Sequence, residues 1–273
     1  MNRILFEKDE IVDGRATFSD ERAEHVLNVL HGAVGQTLKT GELDGLIGTS
    51  VITEIRDLHE RAEGSAQRGS GLLAGTIVVA CSHTEAAEKP WFDLVLAPPR
   101  PRVLKRLLPQ LTALGVGKIV LVGAEKVEKS FWGAQLLKSE IYRPLLVDGL
   151  MQCGTSRVPA IRCERNFRRY AETQMADEFA GCEKILAHPS MGNGERGMEK
   201  GERGFLSPQS STLNSQLSTL NSYVFAIGPE GGWTEEEVAL IESKGFVRHS
   251  LGSRILRTDT ATIALIAQFM DNR

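Results

Sequence analysis

Ile227-Gly228-Pro229-Glu230-Gly231-Gly232-Trp233-Thr234-Glu235-Glu236-Glu237 is the stretch on which the fold reading turns. Tyr223 to Ile227 is a short apolar run, three glycines and a proline then make a tight turn, and Thr234 with Glu237 has the spacing of a helix capping box. A strand therefore ends, the chain turns sharply and a helix begins. Glycines at such a turn permit positive φ and let another group approach the backbone. Plain strand-to-helix geometry is one use for them, and a phosphate cradle at the helix start is another. Glu235, Glu236 and Glu237 speak against the cradle, because they complement the helix dipole and repel an anion. A neutral or cationic ligand fits better.

A second turn of the same kind follows at Leu251-Gly252-Ser253-Arg254-Ile255-Leu256-Arg257-Thr258-Asp259-Thr260-Ala261. The helix it opens, Thr258 to Met270, is apolar nearly all round through Ala261, Ile263, Ala264, Leu265, Ile266, Phe269 and Met270. That pattern implies burial in a core or a subunit interface. Arg254 and Arg257, leading into so apolar an element, need carboxylate partners or an anionic ligand.

Outward from these turns, short apolar strands alternate with helices. Strands are expected at Phe92 to Leu96, Lys118 to Val122, Lys184 to Ala187, Tyr223 to Ile227 and Phe246 to Ser250. Helices are expected around Val103 to Leu114, from about Ala134 towards Leu150, over Phe167 to Phe179 and over Val238 to Lys244, with Pro109 predicting a kink or a late start in the first. The alternation predicts a parallel α/β sheet covered on both faces. From Met191 to Ser222 it stops, and Ser211-Thr212-Leu213-Asn214-Ser215 recurs as Ser218-Thr219-Leu220-Asn221-Ser222. This polar stretch reads as a low-complexity insert that buries little.

The leading part reads as a smaller β-rich unit. Arg3 to Phe6 and Ala16 to Ser19 are short strands, Ser19-Asp20-Glu21 starts a helix, Asp44-Gly45 signals a hairpin and Thr76 to Ala80 is a β-branched strand. Leu58 to Ser70 is a polar loop, and residues 84–90 read as a linker.

The chain of 273 residues is 41% apolar and 25% charged, the balance of an ordinary globular protein that needs neither metal nor disulfide to hold a core. Its four cysteines show no C-x-x-C pairing or zinc spacing, so no metal is expected and the thiols read as reduced and mostly packed. Neither a signal peptide nor a membrane span is legible, which suggests the cytoplasm. The net charge of −3 requires any nucleic-acid surface to be a local patch. Arg100, Arg102, Lys105 and Arg106 form one candidate run, which also suits a solvated helix face.

Taken together, the two glycine turns resemble those of the RsmE family, the 16S ribosomal RNA (uracil-N3) methyltransferases. Gln152-Cys153-Gly154 with Arg157-Val158-Pro159, Leu114-Gly115-Val116 before a strand, His25-Val26 with Val29-Leu30, and Asp44-Gly45 resemble that family too. The resemblance implies a small PUA-like β-barrel domain for RNA docking over 1–88 and a SPOUT methyltransferase domain over 91–273, interrupted by the insert at about 191–222. The SPOUT domain carries a trefoil-knotted backbone, which ordinary topology rules exclude and no periodicity reveals. It further implies an S-adenosyl-L-methionine cofactor, a ribosomal RNA substrate in the small subunit, and a homodimer with the last helix at its contact. By motif, Ile227, Gly228, Pro229, Glu230, Gly231, Gly232, Leu251, Gly252, Ile255, Leu256, Arg257 and Thr258 line the cofactor. Arg257 is the candidate for stabilising or orienting the uracil, with Glu230 and Asp259 as proton acceptors or arginine orienters. Equally, these three could form an ion-pair cluster that only fixes the knot. The chain departs from the family pattern at Asn28, His31, Gln110, Ala113, Met151 and Ser253, which leaves open another RNA target or a catalytically silent RNA-binding dimer.

Overall fold

Of the 273 residues, the computed structural model describes 2–57, 75–189 and 223–270. The insert at 191–222 and the polar loop at 58–70 lie outside the described residues. The chain divides into two units, Met1–Lys89 with Arg143–Val158, and Pro90–Tyr142 with Pro159–Arg273. The sequence reading places its two domains at 1–88 and at 91–273, the second with an insert at about 191–222; by contacts, residues 143–158 group with the first unit.

The first unit is a six-stranded sheet built from β1 (Ile4–Phe6), β2 (Ile11–Val12), β3 (Arg15–Phe18), β4 (Thr37–Glu42), β5 (Ile47–Asp57) and β6 (Gly75–Glu85), with α1 (Glu21–Asn28) packed against it. Its order is β1-β4-β5-β6-β3-β2, antiparallel except for β1 beside β4. β6 runs past the expected Ala80 to Glu85, so the linker begins later than the sequence suggests. Asp20 caps α1 through its side chain, which accepts from the Arg22 N–H. The Arg22 guanidinium pairs with Glu10 and Asp20 while lying over the rings of Phe6 and Phe18. Phe6, Phe18, Val26, Ile52, Ile77 and Val79 form the core beneath.

The returning segment comes from α3 (Ser139–Cys153) and the residues after it. Leu150 joins Leu5 and Leu43 in a buried cluster. The N–H groups of Asn2 and Arg3 donate to the Met151 carbonyl at 2.9 and 3.0 Å. The Arg3 guanidinium donates to the carbonyls of Gly154, Thr40 and Gly48. α3 begins later than the expected Ala134 because tight turns at Lys129–Gly133 and Gln135–Leu137 precede it.

The second unit holds β7 (Phe92–Leu96), α2 (Pro101–Ala113), β8 (Val116–Val122), β9 (Ala160–Glu164), α4 (Phe167–Thr173), α5 (Met175–Glu178), β10 (Glu183–Ala187), β11 (Tyr223–Ile227), α6 (Glu235–Ser243), β12 (Val247–His249) and α7 (Thr258–Phe269). Its strands lie in the order β12-β10-β11-β7-β8-β9, every neighbouring pair parallel. β7 and β11 are central and wholly buried, as a parallel sheet covered on both faces requires. α2 starts with Pro101 at its first position and runs on through Pro109, so its start is not delayed. The expected helix over Phe167 to Phe179 is two short ones, and β9 is a strand that the sequence reading missed. All four cysteines are free thiols. Cys153 and Cys163 are exposed, so the expected packing holds only in part, for the half-buried Cys81 and Cys182. No helix among the described residues is long and apolar enough to cross a membrane.

Candidate functional site

In open α/β sheets ligands bind beyond the carboxyl ends of strands, where successive connections diverge. Here that point lies at β7 and β11. The chain steps from β7 outward through β8 to β9, while β10 and β12 lie on the far side of β11. The Ala97 N–H donates to the Ile227 carbonyl at 2.9 Å, which ties the two strand ends together. The turns leaving both strands consequently emerge side by side, and Arg100 stands 3.4 Å from Glu230 across them.

The 228–232 turn is held from several directions. The Gly232 N–H donates to the Pro229 carbonyl at 2.8 Å, with Gly232 at φ 70°. A Cβ on Gly228 would meet the Trp233 ring and backbone at 3.0 to 3.2 Å, so only glycine lets the indole close under the turn. Trp233 packs on Phe167 and is buried, its indole N–H without an acceptor among the described residues. Lys126 Nζ donates to the Gly231 carbonyl at 3.0 Å. The capping box is present as the sequence predicts: Thr234 Oγ1 accepts from the Glu237 N–H, and Glu237 Oε2 accepts from the Thr234 N–H. Glu237 Oε1 also accepts from the Glu125 N–H at 2.7 Å, a contact across 112 residues that no local pattern reveals. This one of the three glutamates is therefore buried and committed, whereas Glu235 and Glu236 are exposed.

The second turn meets the first at the start of α7. Thr258 is buried and its hydroxyl lies 3.4 Å from the Gly228 carbonyl, donating to it. Thr262, one turn on, returns its own hydroxyl to the Thr258 carbonyl at 2.6 Å. Before Thr258 the chain is open: Gly252, Ser253, Arg254 and Arg257 are exposed, and Ile255 is 92% exposed. The structure thus brings Gly228 and Thr258 together and leaves the tip at 252–255 in the open.

The three charged candidates do not pair with one another. Glu230 faces Arg100, and Asp259 faces Arg106 at 3.5 Å. Arg257 has no ion-pair partner among the described residues. The proposed cluster of Arg257, Glu230 and Asp259 is replaced by two bridges to α2 and one uncommitted guanidinium. Among the described residues, the need for partners that the sequence assigns to Arg254 and Arg257 is met for neither.

A cleft of about 320 Å³ opens on another side of this turn, lined by Gly123, Glu125, Arg165, Phe167, Arg168, Thr234 and Glu236 among others. Arg168 and Glu236 pair across it at 3.2 Å, and no residue of 251–258 lines it. The backbone of the 228–232 and 251–258 turns is open at one glycine each. Gly232 and Gly252 have φ of 70° and 103°, and a Cβ on either would meet no atom within 4 Å. That leaves room at each turn, with the uncovered Ile255 on the second.

The family model described as RNA methyltransferase domain matches residues 87–270. Among curated proteins, the ribosomal RNA small subunit methyltransferase E of Treponema pallidum is 29% identical over 274 aligned positions, covering 100% of this chain and 91% of that protein. Among solved structures, a methyltransferase of Legionella pneumophila in complex with the cofactor SAM aligns with a TM-score of 0.66 at 20% identity, over 99% of this chain and 97% of that one. The ribosomal RNA small subunit methyltransferase E of Neisseria gonorrhoeae, bound to S-adenosyl methionine, aligns at 0.61 and 19% identity over 100% and 98%. The fold is theirs.

Proposed function

The chain belongs to the RNA methyltransferase domain family, and from that premise we propose that it transfers a methyl group from S-adenosyl-L-methionine to N3 of a uracil in small-subunit (16S) ribosomal RNA. The observation that carries this reading is the meeting of the two glycine turns at Thr258 and Gly228, with Arg257, unpaired among the described residues, beside it. The named relatives, one of them solved with the cofactor, support the substrate and the cofactor. In this reading Ile227, Gly228, Pro229, Gly231 and Gly232 hold the cofactor from one side, and Leu251, Gly252, Ile255, Leu256 and Thr258 from the other. Both turns belong to a SPOUT knot, the first unit is PUA-like and docks RNA, and the working form is a cytoplasmic homodimer. The exposed Ile255 and the half-covered Ile263, Phe269 and Met270 of α7 support an apolar contact with a second copy.

The cofactor, when bound, supplies an electrophilic methyl group on a sulfonium. The chain must then present the uracil N3 in line and make it nucleophilic. The base has to leave its paired or stacked position for N3 to be reached. N3 carries a proton, and as this departs negative charge spreads over the ring and its carbonyls. Arg257, exposed at the N-cap of α7 and free of any carboxylate among the described residues, is placed to meet that charge. Glu230 and Asp259, each facing an arginine of the α2 end, remain the candidate proton acceptors or arginine orienters.

The test is methylation of 16S rRNA from cells lacking this protein, read by mass spectrometry of the nucleosides, alongside calorimetry with S-adenosyl-L-methionine. N3-methyluridine should appear. Arg257→Ala should lower turnover by about 10²-fold or more, the usual effect of removing a donor to developing negative charge, with cofactor affinity retained. Unchanged turnover in that variant would remove Arg257 from the chemistry. Methylation at another atom or of another RNA would overturn the substrate assignment.

A further inference from the structure

The chain is acidic overall, with a net charge of −3, yet six cations gather around the proposed site. Arg100, Arg102, Lys105 and Arg106 lie at the start of α2, and Arg254 and Arg257 on the loop that enters α7. All six are exposed. The two sets are 150 residues apart in sequence, and the bridge from Arg106 to Asp259 brings them into one place. Arg100 beside Glu230 extends the same ridge to the glycine turn.

Three features separate this ridge from a solvated helix face. First, α2 holds no acidic residue, so its cations have none of the i,i+4 partners that a surface helix commonly uses. Second, the cations stand at the N-terminal end of the helix, where the dipole disfavours positive charge and stability alone would select acids. Third, the two carboxylates that do face them are 3.4 and 3.5 Å away, longer than a charge-assisted hydrogen bond, and Arg100 and Arg106 keep 65% and 62% of their side chains exposed. Arg102, Lys105 and Arg106 share the exposed face of α2, opposite the buried Leu104, Leu107, Leu108 and Leu111. Loosely countered cations lining one helix face beside the proposed site suit a phosphodiester backbone, which pairs with them and releases its own counterions in exchange.

We propose that the exposed face of α2, through Arg102, Lys105 and Arg106 and continued by Arg254, grips the RNA backbone phosphates flanking the target uridine. The methyltransferase unit thereby positions its own substrate strand. This rests on the functional reading above and adds the surface by which the RNA is held. Arg102 and Lys105, which have no carboxylate partner among the described residues, are the cleanest probes.

The experiment uses the full-length protein with Arg102→Gln and Lys105→Gln combined, and deproteinised 16S rRNA from cells lacking this protein. Binding is measured across a series of NaCl concentrations. The double variant should bind at least tenfold more weakly at low salt, and its slope of log affinity against log salt should fall by about 1 to 2, near the 0.7 to 0.9 expected per phosphate lost. The KM for RNA should rise with kcat unchanged, cofactor affinity by calorimetry should stay that of the wild type, and Arg102→Lys with Lys105→Arg should restore both slope and KM. A double variant that binds the cofactor normally and keeps the wild-type slope overturns the proposal while leaving the functional reading intact. So does weakened binding to intact 30S subunits with unchanged binding to stripped rRNA, which would make the partner a protein surface. A wild type that binds no cofactor, or methylates no RNA, overturns the functional reading itself.

Discussion

Glu178 shows how much a single carboxylate can organise in the second unit. Its two oxygens accept from Lys118 Nζ at 2.8 Å, Arg162 Nη2 at 2.6 Å and the Tyr170 hydroxyl at 2.8 Å, with only 12% of the side chain exposed. Burial pushes its pKa up, but the hydrogen bonds from Lys118 and Tyr170 and the charges of Lys118 and Arg162 outweigh that and hold it below the usual carboxylate range. A carboxyl depressed on folding stabilises fully above its unfolded pKa, and the contribution disappears as pH falls through the lower folded value. Glu178→Gln keeps the shape and loses the charge, leaving two cations facing an amide. The expected loss is about 2 to 3 kcal/mol at pH 7, at or below the low end for a broken buried pair because Lys118 and Arg162 retain water contact. Urea midpoints of wild type and variant should converge only as the pH falls below the ordinary glutamate range and through the lowered folded value, where the wild-type carboxylate protonates. A gap that persists unchanged in acid would show that packing, not charge, holds this cluster.

At the scale of the element, α6 separates what was legible in the sequence from what was not. Thr234 and Glu237 announce its start, because a capping box is made between neighbours three residues apart. The same locality made Phe92 to Leu96, Tyr223 to Ile227 and the start of α7 legible. β9 was missed because Ala160-Ile161-Arg162-Cys163-Glu164 is an edge strand, half exposed on both faces, and neither alternates nor forms a buried run. The bridges from Arg100 and Arg106 were illegible for another reason. They join α2 to turns well over 100 residues away, and only sheet topology decides which helix lies beside which turn. Glu237 belongs to both groups, since its second bond, to the Glu125 N–H, is non-local. That difference can be measured. Thr234→Ala should cost about 1 kcal/mol, the usual loss for an N-cap. Glu237→Ala should cost more, about 2 kcal/mol, because it also removes the acceptor of the Glu125 N–H in a part-buried bond. Equal losses in chemical denaturation would reduce Glu237 to a local cap.

At the scale of the whole chain, the first unit cannot be cut out as one continuous piece. Its six strands all come from residues before 90, and a domain boundary read from composition falls there naturally. Yet Leu5 and Leu43 complete their burial with Leu150, and the Asn2 and Arg3 N–H groups end on the Met151 carbonyl. Arg3 gives its Nε to Gly154, Asp44 accepts from the Val158 N–H, and Arg143 pairs with Glu7. A fragment of residues 1–89 would therefore expose two core leucines and strip a half-buried arginine of one of its three carbonyl partners. Burying a leucine contributes about 2 kcal/mol, and an unsatisfied buried donor costs about 1 to 3 kcal/mol, while a domain of this size holds only about 5 to 10 kcal/mol in all. The 1–89 fragment should thus be largely destabilised, seen as loss of the cooperative urea transition that the same strands show in the full-length protein. Hydrogen exchange resolves the question strand by strand. In the fragment, β1 and β4 should lose protection first, because they carry Leu5, Thr40 and the Arg3 contacts, while β5 and β6, eleven-residue strands paired along their length, lose it last. A fragment that unfolds at the full-length midpoint, with β1 as protected as β6, would show that residues 143–158 merely rest on this unit without completing it.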